Sequence, residues 1–252
     1  MIKENERINF SSGYEKTLDK AVEMAVKEIS NKYICSIPDE WDLCIRDKRI
    51  LFSDIKDKMQ ENGLSTEKAN MYYGLDSSII VDAKVVELTI NNGGTVKSYP
   101  LFIGEDKKQG TNDERISEGK ARQAIGNAVE RAAKNYIIVA DYCFLHDHNF
   151  FPYVIFAHGC DFGDDITKTT KAKLMPYVGE INVINPFFDN EIWWARKGGT
   201  CFCQNDTFTE EELYKICYEI CRIGIEHYLK RFGKQLNNAP LEREMCESSA
   251  IA

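Results

Sequence analysis

The chain has 252 residues, 43% of them hydrophobic, and a formal net charge of −8 from 40 acidic and 32 basic side chains. That length and apolar content suffice for one sizeable core and predict a single globular domain over residues 1–252. The acidic balance argues against a protein that coats nucleic acid non-specifically, which needs a strongly basic field, but it leaves room for a basic cleft in an acidic body.

Basic side chains gather between Lys97 and Lys134 and again in Lys168, Lys171 and Lys173. No apolar leader follows Met1 and no run of about eighteen apolar residues occurs, so a cytoplasmic protein without membrane spans is expected. Nine cysteines, an odd number at irregular spacing, predict free thiols rather than a disulfide framework.

In chain order, residues 14–33 read as a helix. Leu18, Ala21, Val22, Ala25, Val26 and Ile29 recur at helical spacing, opposed by Lys20, Glu23 and Lys27. A shorter helix is predicted over residues 54–61, with Ser53 as N-cap and Gly63 as stop. Residues 81–90 are rich in β-branched side chains, Asn91-Asn92-Gly93-Gly94 supplies positive-φ turn residues, and residues 95–103 return as a second strand.

A long helix follows, capped by Ser117 and reaching about Phe144, with a small-residue face of Ala121, Ala124, Ile125, Ala128, Val129 and Ala132. Residues 151–157 and 178–184 read as strands, the first of them buried. Thr207 and Glu210 resemble a capping box that opens a last helix with Leu213, Ile216, Cys217, Ile220, Cys221 and Gly224 facing inward and Gly233 as stop. Strands alternating with long helices predict an α/β architecture around a central mixed sheet. Cys201, Cys203, Cys217 and Cys221 lack the spacing of a structural zinc site, and the last two suit the buried face of a helix.

Chemistry concentrates in residues 82–107. A hairpin returns Glu105 alongside the start of the first strand, so its carboxylate can approach that of Asp82. Strand alternation puts Lys107 on the side of Glu105, and Asp106 on the other. Two hard oxygen ligands and one cation converge, an arrangement that can hold magnesium against a phosphodiester while the lysine orients or helps to deprotonate an attacking water. Similar triplets occur at Asp54-Ile55-Lys56, Asp82-Ala83-Lys84 and Glu118-Gly119-Lys120. A solvated charged surface is the alternative reading of any one of them.

Gly126-Asn127-Ala128-Val129-Glu130-Arg131, Lys134-Asn135, and then Phe151-Pro152-Tyr153-Val154-Ile155-Phe156 with Gly159 follow in order. Together with Glu105-Asp106-Lys107-Lys108-Gln109-Gly110, this series resembles the EcoRI-like type II restriction endonucleases of the PD-(D/E)xK superfamily, over about residues 76–162. The resemblance implies the restriction-endonuclease fold and a homodimeric enzyme that uses Mg2+ to cut double-stranded DNA at a short palindrome containing AATT, paired with a cognate DNA methyltransferase.

It further implies catalysis by Asp82, Glu105 and Lys107, with metal held by Asp82, Glu105 and the backbone carbonyl of Asp106. Base recognition falls to Ala124, Gly126, Asn127, Ala128, Glu130 and Arg131, with Asn127, Glu130 and Arg131 at the adenine-reading positions. A repair or junction nuclease of the same superfamily, and a DNA-binding protein without catalysis, are the alternatives. Val81 stands where the family commonly has proline. Asp106 replaces a small or apolar residue, and an acid on that face of the sheet needs a partner or a solvated position.

Overall fold

The computed structural model describes residues 4–33, 36–47, 49–63, 65, 67, 78–108, 115–121, 126–159, 162, 168–189 and 197–232. Its centre is a five-stranded mixed sheet of β1 (Trp41–Arg46), β4 (Val85–Asn92), β5 (Thr95–Lys108), β6 (Tyr153–His158) and β9 (Thr200–Gln204), hydrogen-bonded in that order. β4 runs antiparallel to both of its neighbours, β1 and β5, whereas β5, β6 and β9 are parallel. Two small antiparallel pairs lie outside it, β2 (Arg49–Leu51) with β3 (Ser78–Ile80) and β7 (Phe188–Asp189) with β8 (Lys197–Gly198).

Helices cover both faces, which gives the expected α/β architecture. On one face α1 (Glu4–Tyr33) and α5 (Glu210–Arg231) pack Leu18, Val22, Ile29, Leu213, Ile220 and Ile225 against Leu88, Phe102, Val154 and Phe156. On the other, α2 (Phe52–Glu61), α3 (Gly126–His146) and α4 (Lys168–Val178) bring Ile55, Val139 and Leu174 onto Ile103, Ile155 and Cys201. β6 is buried along its whole length, as a parallel strand between two helical layers must be. No helix among the described residues is long and apolar enough to cross a membrane.

The hairpin turns as its residues demand. Asn92 pairs with Thr95 across Gly93 and Gly94, both at positive φ, and the Asn91 side chain accepts from the Gly94 amide (3.1 Å). The inward face of α5 is also as expected, with Cys217 and Cys221 buried in it.

Several boundaries differ. β4 begins at Val85, so Asp82 and Ala83 form a bend before the strand. α2 has Leu51 at its N-cap with no side-chain cap, and Ser53 lies inside the helix. Ser117 ends a single turn at 115–117 that Gly119 closes at φ +67°, and α3 begins only at Gly126. The capping box of α5 sits two residues later than expected: Thr209 accepts from the Glu212 amide, and the Glu212 carboxylate accepts from the Thr209 amide (2.8 Å).

Val178 ends α4, and residues 179–184 run as bends and coil rather than as a strand. Asn182 alone takes the ladder position there, donating its amide to the Cys201 carbonyl (2.8 Å) and accepting from the Cys203 amide through its side chain (2.7 Å). β1 and β9 were not expected from the sequence. Gly233, the expected helix stop, lies outside the described residues.

Candidate active site

β5 is the strand on which the sheet changes from antiparallel to parallel. It pairs with β4 as far as Phe102, and with β6 from Ile103 onward. Past Phe102, the edge that β4 leaves is taken by the Asp82-Ala83 bend. The Ala83 amide donates to the Gly104 carbonyl (3.0 Å) and the Asp106 amide to Asp82 Oδ2 (2.9 Å). Gly104 permits the approach, since a Cβ there would stand 2.8 Å from the Ala83 Cβ and 2.9 Å from the Phe102 ring. The Lys84 amide, donating to Asp19 Oδ1 (3.0 Å), ties the bend to α1.

The three expected side chains meet. Lys107 Nζ donates to Asp82 Oδ2 (3.1 Å), to Glu105 Oε1 and to the Asp106 carbonyl (3.0 Å), which occupies all the N–H donors an ammonium has. Glu105 is buried, with 1% exposure of its side chain, while Asp82 keeps 29% and forms the open side of the cluster. Burial pushes the Glu105 carboxyl up to about 7, against the lowering pull of Lys107 and with the help of the Asp82 charge. Burial works to lower Lys107, but the Glu105 and Asp82 charges outweigh it and keep the ammonium protonated.

Asn135 of α3 donates to Glu105 Oε1 (2.6 Å). The other carboxylate oxygen, Oε2, is buried with no hydrogen-bond partner among the described residues, a position that a cation or a proton would relieve. Asp82, Glu105 Oε2 and the Asp106 carbonyl are the hard oxygen donors a magnesium ion takes, so the residues fit that ion. Among the described residues there is no group of three or more His, Cys, Asp or Glu side chains able to hold a metal. Two carboxylates plus a carbonyl suit an ion that keeps waters and phosphate oxygens in its remaining positions.

Asp106 points to the opposite face, as alternation requires, and has a partner there: His158 Nε2 lies 2.9 Å from Asp106 Oδ1. The rival triplets are ion pairs of other kinds. Asp54, in the first turn of α2, faces Arg46 (3.7 Å), Lys84 pairs with Glu23, and Glu118 with Lys120 (2.6 Å).

α3 links this cluster to the residues expected to read bases. Gly126, Asn127 and Ala128 lie in its first turn, and Glu130 and Arg131 are exposed. Arg131 is one turn and Asn127 two turns before Asn135, about 6 Å and about 12 Å along the axis. Ala124, Gln109 and Gly110 lie outside the described residues.

The sequence profile of the family described as restriction endonuclease EcoRI matches residues 11–187 of this chain. The chain belongs to the EcoRI restriction endonuclease family. The matched span holds the Asp82, Glu105 and Lys107 cluster, the exposed face of α3 and β6, and excludes α5. The chain is also similar to the type II restriction enzyme RsrI of Cereibacter sphaeroides, at 30% identity over 142 residues that make up 51% of this chain and 49% of the relative. It thus spans about half the length of the curated relative it matches.

Two residues of the site were not singled out from the sequence of this EcoRI-family chain, Asn135 and His158. Asn135 stands in the quoted Lys134-Asn135 pair, two turns after Asn127, and that helical spacing could have found it. His158 falls between Phe156 and Gly159 of the quoted series, and the need of Asp106 for a partner was its only signal.

Proposed function

We propose that the chain is a type II restriction endonuclease that hydrolyses phosphodiester bonds in double-stranded DNA with magnesium, and that Asp82, Glu105 and Lys107 are its catalytic residues. What carries this reading is the meeting of those three side chains in one cluster hydrogen-bonded through Lys107 Nζ, with Glu105 Oε2 buried and without a hydrogen-bond partner among the described residues, in a chain of the EcoRI family.

Asp82, Glu105 and the Asp106 carbonyl would hold Mg2+, which when bound supplies charge neutralisation at the phosphate and a more acidic water. Asp82, fixed through the Asp106 amide, presents its carboxylate from the exposed side. Glu105 is oriented by Asn135 and held in an apolar wall that excludes bulk water. Lys107 orients the attacking water and stabilises charge that develops on the phosphate. For either role Nζ must release at least one of its three present acceptors, and Asp82, the more exposed carboxylate, is the one within reach of solvent.

On the same reading, Asn127, Glu130 and Arg131 read adenines of an AATT-containing palindrome in the major groove, with Ala124, Gly126 and Ala128 beside them. A carboxamide can bond adenine N6 and N7 together, and a guanidinium can donate to purine N7. A self-complementary site calls for a homodimer with dyad-related α3 helices. A cytoplasmic cutter of this kind needs a cognate methyltransferase to protect the host's own sites.

Digestion of a sequenced plasmid tests the proposal. Purified protein with magnesium is expected to give discrete fragments with uniform ends, and Glu105→Ala or Lys107→Ala to abolish cutting while leaving the fold. Random smearing that survives both substitutions would sink it. Retention of AATT-containing duplex without cleavage in magnesium or manganese would leave a DNA-binding protein only.

A further inference from the structure

The metal-competent strand is held from both sides. In front of the sheet, the peptide groups that flank Asp106 belong to the cluster: its amide donates to Asp82 Oδ2 (2.9 Å) and its carbonyl accepts from Lys107 Nζ (3.0 Å). Behind the sheet, the Asp106 carboxylate meets His158 Nε2 at 2.9 Å. One residue therefore carries the active-site backbone on one face and an anchored side chain on the other.

The anchor is buried and packed on both sides. His158 is the last residue of β6, in parallel register with Lys108, and its side chain is 1% exposed. Its ring packs against Tyr14 of α1 (4.8 Å between centroids) and edge-on to Phe208 just before α5 (6.0 Å). The Asp106 side chain is 15% exposed, so water offers it little compensation if the imidazole is lost.

We propose that His158 is a positioning residue for phosphodiester cleavage, which fixes the Asp106 peptide unit from behind the sheet and thereby sets the relative placement of Asp82, the Asp106 carbonyl and Lys107. The inference rests on the nuclease reading above and adds a residue that touches neither metal nor DNA. Partners one shell behind a metal ligand commonly affect metal affinity or activity by about 10- to 100-fold.

The test uses the full chain and a duplex that carries the mapped cleavage site, with kcat and KM measured across a magnesium titration and melting followed in parallel. His158→Ala is expected to lower kcat by about 10- to 100-fold, or to raise the magnesium requirement by a similar factor, with KM for DNA unchanged. His158→Gln keeps a donor at similar reach and is expected to recover most of the loss. A purely structural contact would lower the melting temperature and leave kcat and the magnesium requirement of the folded enzyme untouched.

Asp106→Ala removes the half-buried carboxylate instead of leaving it without its partner, so it serves where His158→Ala fails to fold, and the same loss is expected. In the double variant the two losses should not multiply. Full kcat at the normal magnesium requirement in either single variant, multiplicative losses, or an effect confined to KM would each overturn the inference while the unmodified chain still cuts. If the unmodified chain shows no Glu105-dependent cutting, the nuclease reading itself has failed.

Discussion

Gly104→Ala is the substitution that most directly probes how the cluster is assembled. The new Cβ would sit 2.8 Å from the Ala83 Cβ and 2.9 Å and 3.1 Å from two carbons of the Phe102 ring. Unstrained carbon contacts need about 3.5–4.0 Å, so the Ala83 bend and the ring must both retreat by about 1 Å. Ala83, Phe102 and Glu105 are all within a few percent of full burial, which limits where either can go. Overpacking of this kind costs about 1–3 kcal/mol, and each kcal/mol lowers the melting temperature by about 2–4 °C in a chain of this size.

The effect on the reaction should be larger than on stability. Asp82 precedes Ala83, and its contacts of 2.9 Å to the Asp106 amide and 3.1 Å to Lys107 do not survive a shift of that size. A misplacement of about 1 Å can cost about a hundredfold in rate. Single-turnover cleavage at saturating magnesium, measured beside thermal melting, separates the two effects. Ala83→Gly in the same chain removes the closest contact but leaves the Phe102 ring in place, so the pair should recover more rate than stability. A Gly104→Ala enzyme that cuts at the unmodified rate, or a double variant no faster than the single one, would refute this account of the bend.

Other expectations follow from the same geometry. Because the Glu105 carboxyl is raised from an ordinary 4.5 to about 7, its contribution to stability is full below about pH 4.5 and is lost as pH rises through about 7. Metal-free protein should be less stable by about 3 kcal/mol at pH 8 than at pH 4 from this group, as read by denaturant unfolding, and Glu105→Gln should flatten the profile. Magnesium should raise the melting temperature most at the alkaline end, and Asp82→Ala should abolish that gain. Asn135→Ala leaves Glu105 Oε1 with Lys107 as its remaining donor, and should lower kcat by about tenfold or more with DNA retention in metal-free buffer unchanged. Thr209→Ala removes the capping box of α5, and should cost about 1 kcal/mol in unfolding without altering the cutting rate of folded enzyme.

The hairpin and the meeting of Asp82, Glu105 and Lys107 were legible because both are local: a two-glycine turn sets the register, and period-two alternation sets the faces. β6 and the inner face of α5 were legible from unbroken apolar runs and helical spacing. Edges of the sheet were not. β1 has mixed exposure, and β9 is a short strand whose alternating cysteines draw the eye to metal chemistry rather than to a buried face. Residues 178–184 carry a strand-like pattern, yet Gly179 and Asn182 adopt positive φ and let one side chain stand in for a strand.

Asn135 and His158 depend on tertiary register. Nothing near Glu105 or Asp106 in the chain names their partners, which arrive across α3 and across the parallel β5 and β6 pair. Asp106, the residue that fitted the family pattern worst, is the one whose partner the register supplies.

The bend at Asp82 also bears on the order in which the molecule comes together. Its carboxylate takes a backbone amide of β5 that a longer β4 would have taken, so closing the hairpin brings Asp82, Glu105 and Lys107 together through contacts local to residues 82–107, of the kind that form in microseconds. The backing of that cluster is drawn from Tyr14, His158 and Phe208, far apart in the chain, and such contacts form late. The side-chain cluster thus draws on near neighbours and its backing on distant ones, and loss of α1 from the sheet would remove both the Tyr14 packing and the Asp19 tie to the bend.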